Sequence, residues 1–207
     1  MDLDAFKALV LQDINKPSTS ATRIASAVAQ AGQFIERNYS LQYMNRFVSF
    51  SFDTASSEPR SITLPSRPKS IEFVRIVKDD GTFHYVKRVD PRDVSGVKTD
   101  IPDGYWMDGF DYLWFDNTPG EDYPAEMGYA QKTDWSGMVG SATHWLFDNA
   151  EDVLLSRSIL MLSPFLRQPK LMQLYKPMWD EGIRTLLLED EETKYVGRDE
   201  SMIYAGA

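Results

Sequence analysis

The chain has 207 residues, 43% of them hydrophobic and 13% aromatic, with a net charge of −9. That is enough apolar material for one sizeable core, or for a core plus a small satellite, and too much aromatic content for a disordered chain. With no cysteine, disulfides, thiolate metal sites and a cysteine nucleophile are excluded, and so acidic a surface does not grip phosphate over its whole extent.

The start, MDLDAFKALVLQDIN, is acidic where a signal peptide would be basic. Asp2 to Asn15 predicts a first helix, because Leu3, Phe6, Val10 and Ile14 recur at helical spacing. Pro17 ends it. Ser18 to Ser20 offer capping hydroxyls, and Ile24, Val28, Ala31 and Ile35 form the stripe of a second helix. Alanines along that helix predict close packing against a neighbour. The short link through Lys16 and Pro17 predicts an antiparallel pair.

The texture changes at about Leu41. NRFVSFSFDT alternates, with Phe47, Ser49 and Ser51 on one side and Val48, Phe50 and Phe52 on the other, which is strand periodicity. RSITLP, KSIEFVRIVKDDG and TFHYVKRVD continue it, and the Asp-Asp-Gly turn predicts a hairpin of Ile71–Val77 with Phe83–Val89. DPRDVSGVKTDIPDG reads as a long loop with room for a helical turn. YWMDGFDYLWFDN and AEMGYAQKT supply the last strands, parted by the turn residues of Thr118–Pro124.

Helix returns in WLFDNAEDVLLSRSILMLSPFL. Asp148 is the expected N-cap, with Glu151 as its capping-box partner and Pro164 as a stop or kink. The longest apolar run, SILMLSPFL, is cut by that proline, so no membrane span is expected. A helix apolar almost all round must be central, covered by the other helices or by another subunit. A fourth helix follows, KLMQLYKPMWDEGIRTLLLEDEE, with Leu171, Leu174, Met178, Ile183 and Leu186 as its expected buried side and Pro177 and Gly182 interrupting it. The expected fold is α+β: a four-helix bundle from 1–43 and 136–192, an inserted antiparallel β domain over 44–135, and an extended C-terminal tail over 193–207.

Candidates for chemistry are few. His84 and His144 lack the companions of a zinc site and read as ordinary surface or half-buried histidines. No phosphate loop or nucleophile elbow occurs. In DGYWMDGFDYLWFDNTPGEDYP, the acids Asp108, Asp111, Asp116, Glu121 and Asp122 could supply a carboxylate pair for glycoside hydrolysis, and Trp106, Tyr112 and Trp114 could stack on sugars. The alternation of Tyr112, Trp114 and Asp116 against Leu113 and Phe115 favours aromatics that serve the sheet and acids that sit in turns. The basic residues at Arg67–Lys69 and Lys87–Arg92 read as salt-bridge partners or a local contact patch.

Taken together, the N-terminal helix pair leading into FIERNYSLQYMNRFVSFSF, then ITLPSRPKSIEFVRI, IPDGYWMDGFDYLWFDNTPGEDYPAEMGYAQKT and THWLFDNAEDVLLSRSILMLSPFL, resemble the head–tail connector (adaptor) proteins of tailed bacteriophages, including the tail tubular protein A group. The resemblance spans roughly residues 20 to 190 and carries no catalytic signature. It implies a structural virion protein with no enzymatic activity and no cofactor. It implies a ring of copies, usually twelvefold, at the neck between capsid and tail, assembled in the host cytoplasm. The ring would sit between the portal and the tail nozzle or tube, and double-stranded DNA would pass through it without specific binding. It implies portal docking by a terminal arm, which here would use Tyr195, Val196, Arg198, Met202, Ile203 and Tyr204. Hydrophobicity alone assigns Leu154, Leu155, Leu160, Leu174, Met178, Trp179, Ile183 and Leu186 to helix packing or the heterologous subunit interface that a ring requires. The alternative is a tail-associated carbohydrate-binding module or glycoside hydrolase that uses the aromatic-acidic face of the β insert.

Overall fold

The computed structural model describes residues 1–202 apart from 17, 65, 66, 95, 97 and 110, with side chains as far as residue 193. The chain divides into two compact units, Met1–Tyr43 with Thr133–Ala207, and Met44–Lys132.

The first unit is helical. Helix α1 (Leu3–Ile14) starts where the Asp2 carboxylate accepts from the Ala5 amide at 2.8 Å, and it ends at Asn15 in the left-handed region. Helix α2 (Ala21–Asn38) is capped by the Ser20 hydroxyl. The predicted stripes of both helices are buried, as hydrophobic periodicity requires when one face must leave water. Ala27 and Ala31 are buried as well. At Gly32 the approach is closer than any side chain allows, since a Cβ there would lie 2.3 Å from the Trp135 ring.

The next helical stretch departs from expectation. Asp148 is not a cap. The backbone breaks at Ala150 (φ −149°, ψ 42°) into α3 (Trp145–Asn149), capped by the His144 ring, and α4 (Glu151–Leu166). Asp148 instead accepts from the Met1 amine. Helix α4 runs through Pro164, because the Ser163 hydroxyl donates to the Leu160 carbonyl at 3.0 Å, the acceptor that the missing proline N–H would have used. Val153, Leu154, Ile159 and Leu162 are all buried, and α1, α2, α3 and α5 (Pro169–Met202) pack around them. This is how a helix apolar on nearly every side is kept from water.

Helix α5 has 34 residues, about 50 Å at 1.5 Å per residue. Neither Pro177 nor Gly182 ends it. At Gly182 α5 packs closely on α4, with a virtual Cβ 3.1 Å from Val153. The Tyr175 hydroxyl donates to Asp13 of α1 at 3.0 Å.

The second unit is a seven-stranded mixed sheet that curls into a half-barrel. Its strands are β1 (Asn45–Ser51), β2 (Ser61–Thr63), β3 (Pro68–Val77), β4 (Phe83–Arg88), β5 (Gly104–Asp108), β6 (Tyr112–Phe115) and β7 (Pro124–Gln131), in the order β1-β7-β3-β4-β5-β6-β2. The β3–β4 hairpin pairs Val74 with Val86 and Val77 with Phe83. One face buries Phe52, Val74, Ile76, Val86, Leu113, Phe115 and Met127.

A four-helix bundle with a small antiparallel insert and an extended tail is therefore incorrect. Among the described residues five α-helices are present, because the chain breaks at Ala150. The sheet is mixed, because the connection after β4 returns β5 parallel to it, pairing Lys87 with Gly104. The segment expected to be an extended tail is helical through Met202. No proline falls between Thr193 and Met202 to break the α5 register, and Lys194, Arg198 and Glu200 favour helix.

Candidate functional site

The most polar buried point of the helical unit lies around Glu36, which is 3% exposed. Its Oε2 accepts from the Thr133 amide at 3.0 Å and the Trp135 indole at 3.1 Å. Its Oε1 accepts from the Thr133 hydroxyl at 2.7 Å and lies 3.1 Å from His144 Nε2. His144 Nδ1 accepts from the Leu146 amide at 3.2 Å, which caps α3. That bond places the proton of the neutral ring on Nε2, facing Glu36 and Thr133. Burial pushes the Glu36 carboxyl up, and the hydrogen bonds from His144 and Thr133 more than offset it, holding it below the ordinary glutamate value.

His144 is half-buried and joins Glu36 and Thr133 to the start of α3. The trio contains the residue types of a nucleophilic relay without its order. A relay needs the acid on one ring nitrogen and the hydroxyl on the other, whereas here both meet Nε2 and the main chain occupies Nδ1. The cluster fastens α2, the segment after the sheet and α3 together. Sequence reading missed Glu36. Its one signal was Gly32, a turn earlier, whose missing side chain makes room for Trp135.

Helix α5 holds a second set of candidates. Tyr175, Trp179, Ile183, Leu186 and Asp190 are buried. Leu174 and Met178, expected on the buried side, are 58% and 47% exposed. The phase of this helix is set by its two aromatics, which remove more area from water than leucine or methionine can. Met172 and Leu188 are exposed too. On α4, Leu154 is fully buried, while Leu155 and Leu160 are half-buried. Beside Met178 a cleft of about 350 Å³ opens between α4 and α5, lined by Asp152, Val153, Glu181, Gly182 and Glu189.

The sheet unit has an apolar surface of its own. Phe47, Phe73, Arg75, Phe83, Tyr85 and Glu126 project from the face opposite the core, as strand alternation and register require. Arg75 pairs with Glu126 at 2.6 Å, and its guanidinium carbon lies 3.8 Å from the Phe83 ring centre. Phe47, Phe83 and Tyr85 are each about half exposed. With Arg75 paired to Glu126, the exposed rings make this patch largely apolar.

The carbohydrate candidates are differently disposed. Leu113 and Phe115 are fully buried, and Trp114 lies on the opposite side, as alternation predicts. Trp106 and Trp114 stack on one another, with centroids 6.4 Å apart and planes 14° apart, and Arg60 lies over Trp106. Tyr112, the third aromatic candidate, is 45% exposed. Asp111 pairs with Arg67 at 3.5 Å, and Asp116 accepts from the Asp103 amide at 3.1 Å.

Tyr195, Val196, Arg198 and Met202 fall on the last turns of α5, where side chains lie outside the described residues, and Ile203 and Tyr204 lie outside them altogether. Among the described residues no helix is long and apolar enough to cross a membrane, and no cluster of three or more histidines and carboxylates could hold a metal ion. No protein-family model matches the chain, and no curated protein matches it.

Proposed function

We propose that the chain is a structural virion protein of a tailed bacteriophage: a head–tail connector whose copies form a twelvefold ring between the portal and the tail nozzle or tube, extending the DNA channel. The observation that carries this is the pair of exposed apolar patches on separate compact units, Leu174 and Met178 one turn apart on α5 and the Phe47–Phe83–Tyr85 face of the sheet. Exposed apolar patches of this kind mark protein interaction sites. A connector needs several such surfaces, since it meets its neighbours in the ring, the portal above and the tail below. The net charge of −9 suits a channel that passes DNA without holding it.

Native mass spectrometry of the full chain mixed with the portal ring of the same phage tests the proposal. Bound copies matching the portal's symmetry are the expected result. A portal that recruits no copies under conditions where both proteins are folded overturns it.

A further inference from the structure

Among the described residues, Arg157 has no carboxylate partner. It leaves α4 between α2 and α5, with its guanidinium carbon 3.7 Å from the Phe34 ring centre and 5.2 Å from that of Trp179. Its Nε is fully buried and hydrogen-bonded to nothing among the described residues. Burial lowers its affinity for the proton, with the Tyr39 phenol pushing the other way. The side chain as a whole keeps partial exposure.

Aromatic faces offset part of the desolvation of such a cation, but they satisfy none of its N–H donors, and a half-buried charge left that way is costly. They do orient the group. Phe34 and Trp179 hold the plane of a fork whose donors match a carboxylate or phosphate in a bidentate pair. Carboxylate is favoured over phosphate, because a single guanidinium in a chain of charge −9 provides no field to hold a polyanion. The chain itself is rich in suitable acids. Glu181, Glu189, Glu191 and Glu192 on α5 are exposed, and none takes part in an ion pair among the described residues.

We infer that Arg157, seated on Phe34 and Trp179, receives a carboxylate from a neighbouring copy of this chain, an anchor of the ring contact. This rests on the connector proposal, and it assigns that contact a residue that hydrophobicity does not mark.

The test compares wild type with Arg157→Met, which keeps a long apolar stem on the two rings and removes the charge. Each full-length protein is melted alone, then mixed with the portal ring for native mass spectrometry. The expected variant melts at or above the wild-type temperature, since an unpaired charge has been removed, yet its copies associate at least about tenfold more weakly. A melting point lowered by more than about 5 °C marks a structural charge and overturns the inference. Equal ring occupancy by variant and wild type overturns it while leaving the connector proposal standing. Variant copies that still associate with one another but leave the portal assign the carboxylate to the portal and overturn the copy-to-copy contact. A wild type that forms no ring with the portal removes the connector proposal, and this contact with it.

Discussion

Replacing Glu36 is the sharpest way to perturb the helical unit. Its carboxylate accepts from four donors in a site where it is 3% exposed. Glu36→Leu keeps the bulk and removes every acceptor. His144 Nε2–H lies 2.8 Å from the Thr133 hydroxyl oxygen and can donate to it. The Trp135 indole and the Thr133 amide lose their acceptor. Each stranded buried donor costs about 1–3 kcal/mol, so the loss is about 4 kcal/mol, a large part of the roughly 5–15 kcal/mol that holds a domain folded. Glu36→Gln is the finer probe. Its amide oxygen can serve Trp135 and the Thr133 amide, but its NH2 then faces the proton on His144 Nε2. The ring cannot move that proton to Nδ1, because Nδ1 accepts from Leu146. The expected loss is about 2 kcal/mol. Equilibrium urea unfolding, followed by helical circular dichroism, measures both. A Glu36→Gln protein as stable as wild type would show that the histidine is free to change tautomer and refute the reasoning; a stable Glu36→Leu protein would show that the donors find other partners.

Further outcomes follow from the same structure. Because the Glu36 carboxyl is held below its ordinary 4.5 in the fold, its contribution is fully present above that pH and is lost as pH falls through the lower folded value. The stability gap between wild type and Glu36→Gln should therefore be constant at neutral pH and close in acid, and a gap that widens in acid would contradict the sign. Leu186→Asp, at a position 3% exposed, should cost about 3 kcal/mol or more. Leu174→Asp, 58% exposed, should change monomer stability by under about 0.5 kcal/mol while weakening assembly; thermal melts of the two tell whether the phase of α5 is right. Gly32→Ala gains about 1 kcal/mol of helix propensity but drives a methyl into the Trp135 ring at 2.3 Å, an overpacking cost of about 1–3 kcal/mol. A lower melting temperature is expected, and a higher one would mean that Trp135 moves aside freely.

By itself the sequence determined what depends on neighbours a few residues apart. The buried stripes of α1 and α2, the inward Leu113 and Phe115, and the β3–β4 hairpin all follow from short periods or from one turn, because a side chain's face is set by helical or strand geometry wherever the core lies. The apolar circumference of α4 required a central position, and the other helices provide it. Tertiary structure decided the rest, in each case through partners far apart in the chain. Glu36 meets its donors across 97 to 108 residues, and nothing in its own surroundings distinguishes it from a surface glutamate. The phase of α5 was open between two apolar stripes one residue apart, and Tyr175 and Trp179 took the core because their rings remove more area from water. The break at Ala150 and the parallel pairing of β4 with β5 have no local signature, since each is imposed by where the next element must pack. Arg157 is the clearest case. In sequence it is one polar residue in an apolar helix, and only the fold shows that it sits on two aromatic rings with no carboxylate partner among the described residues.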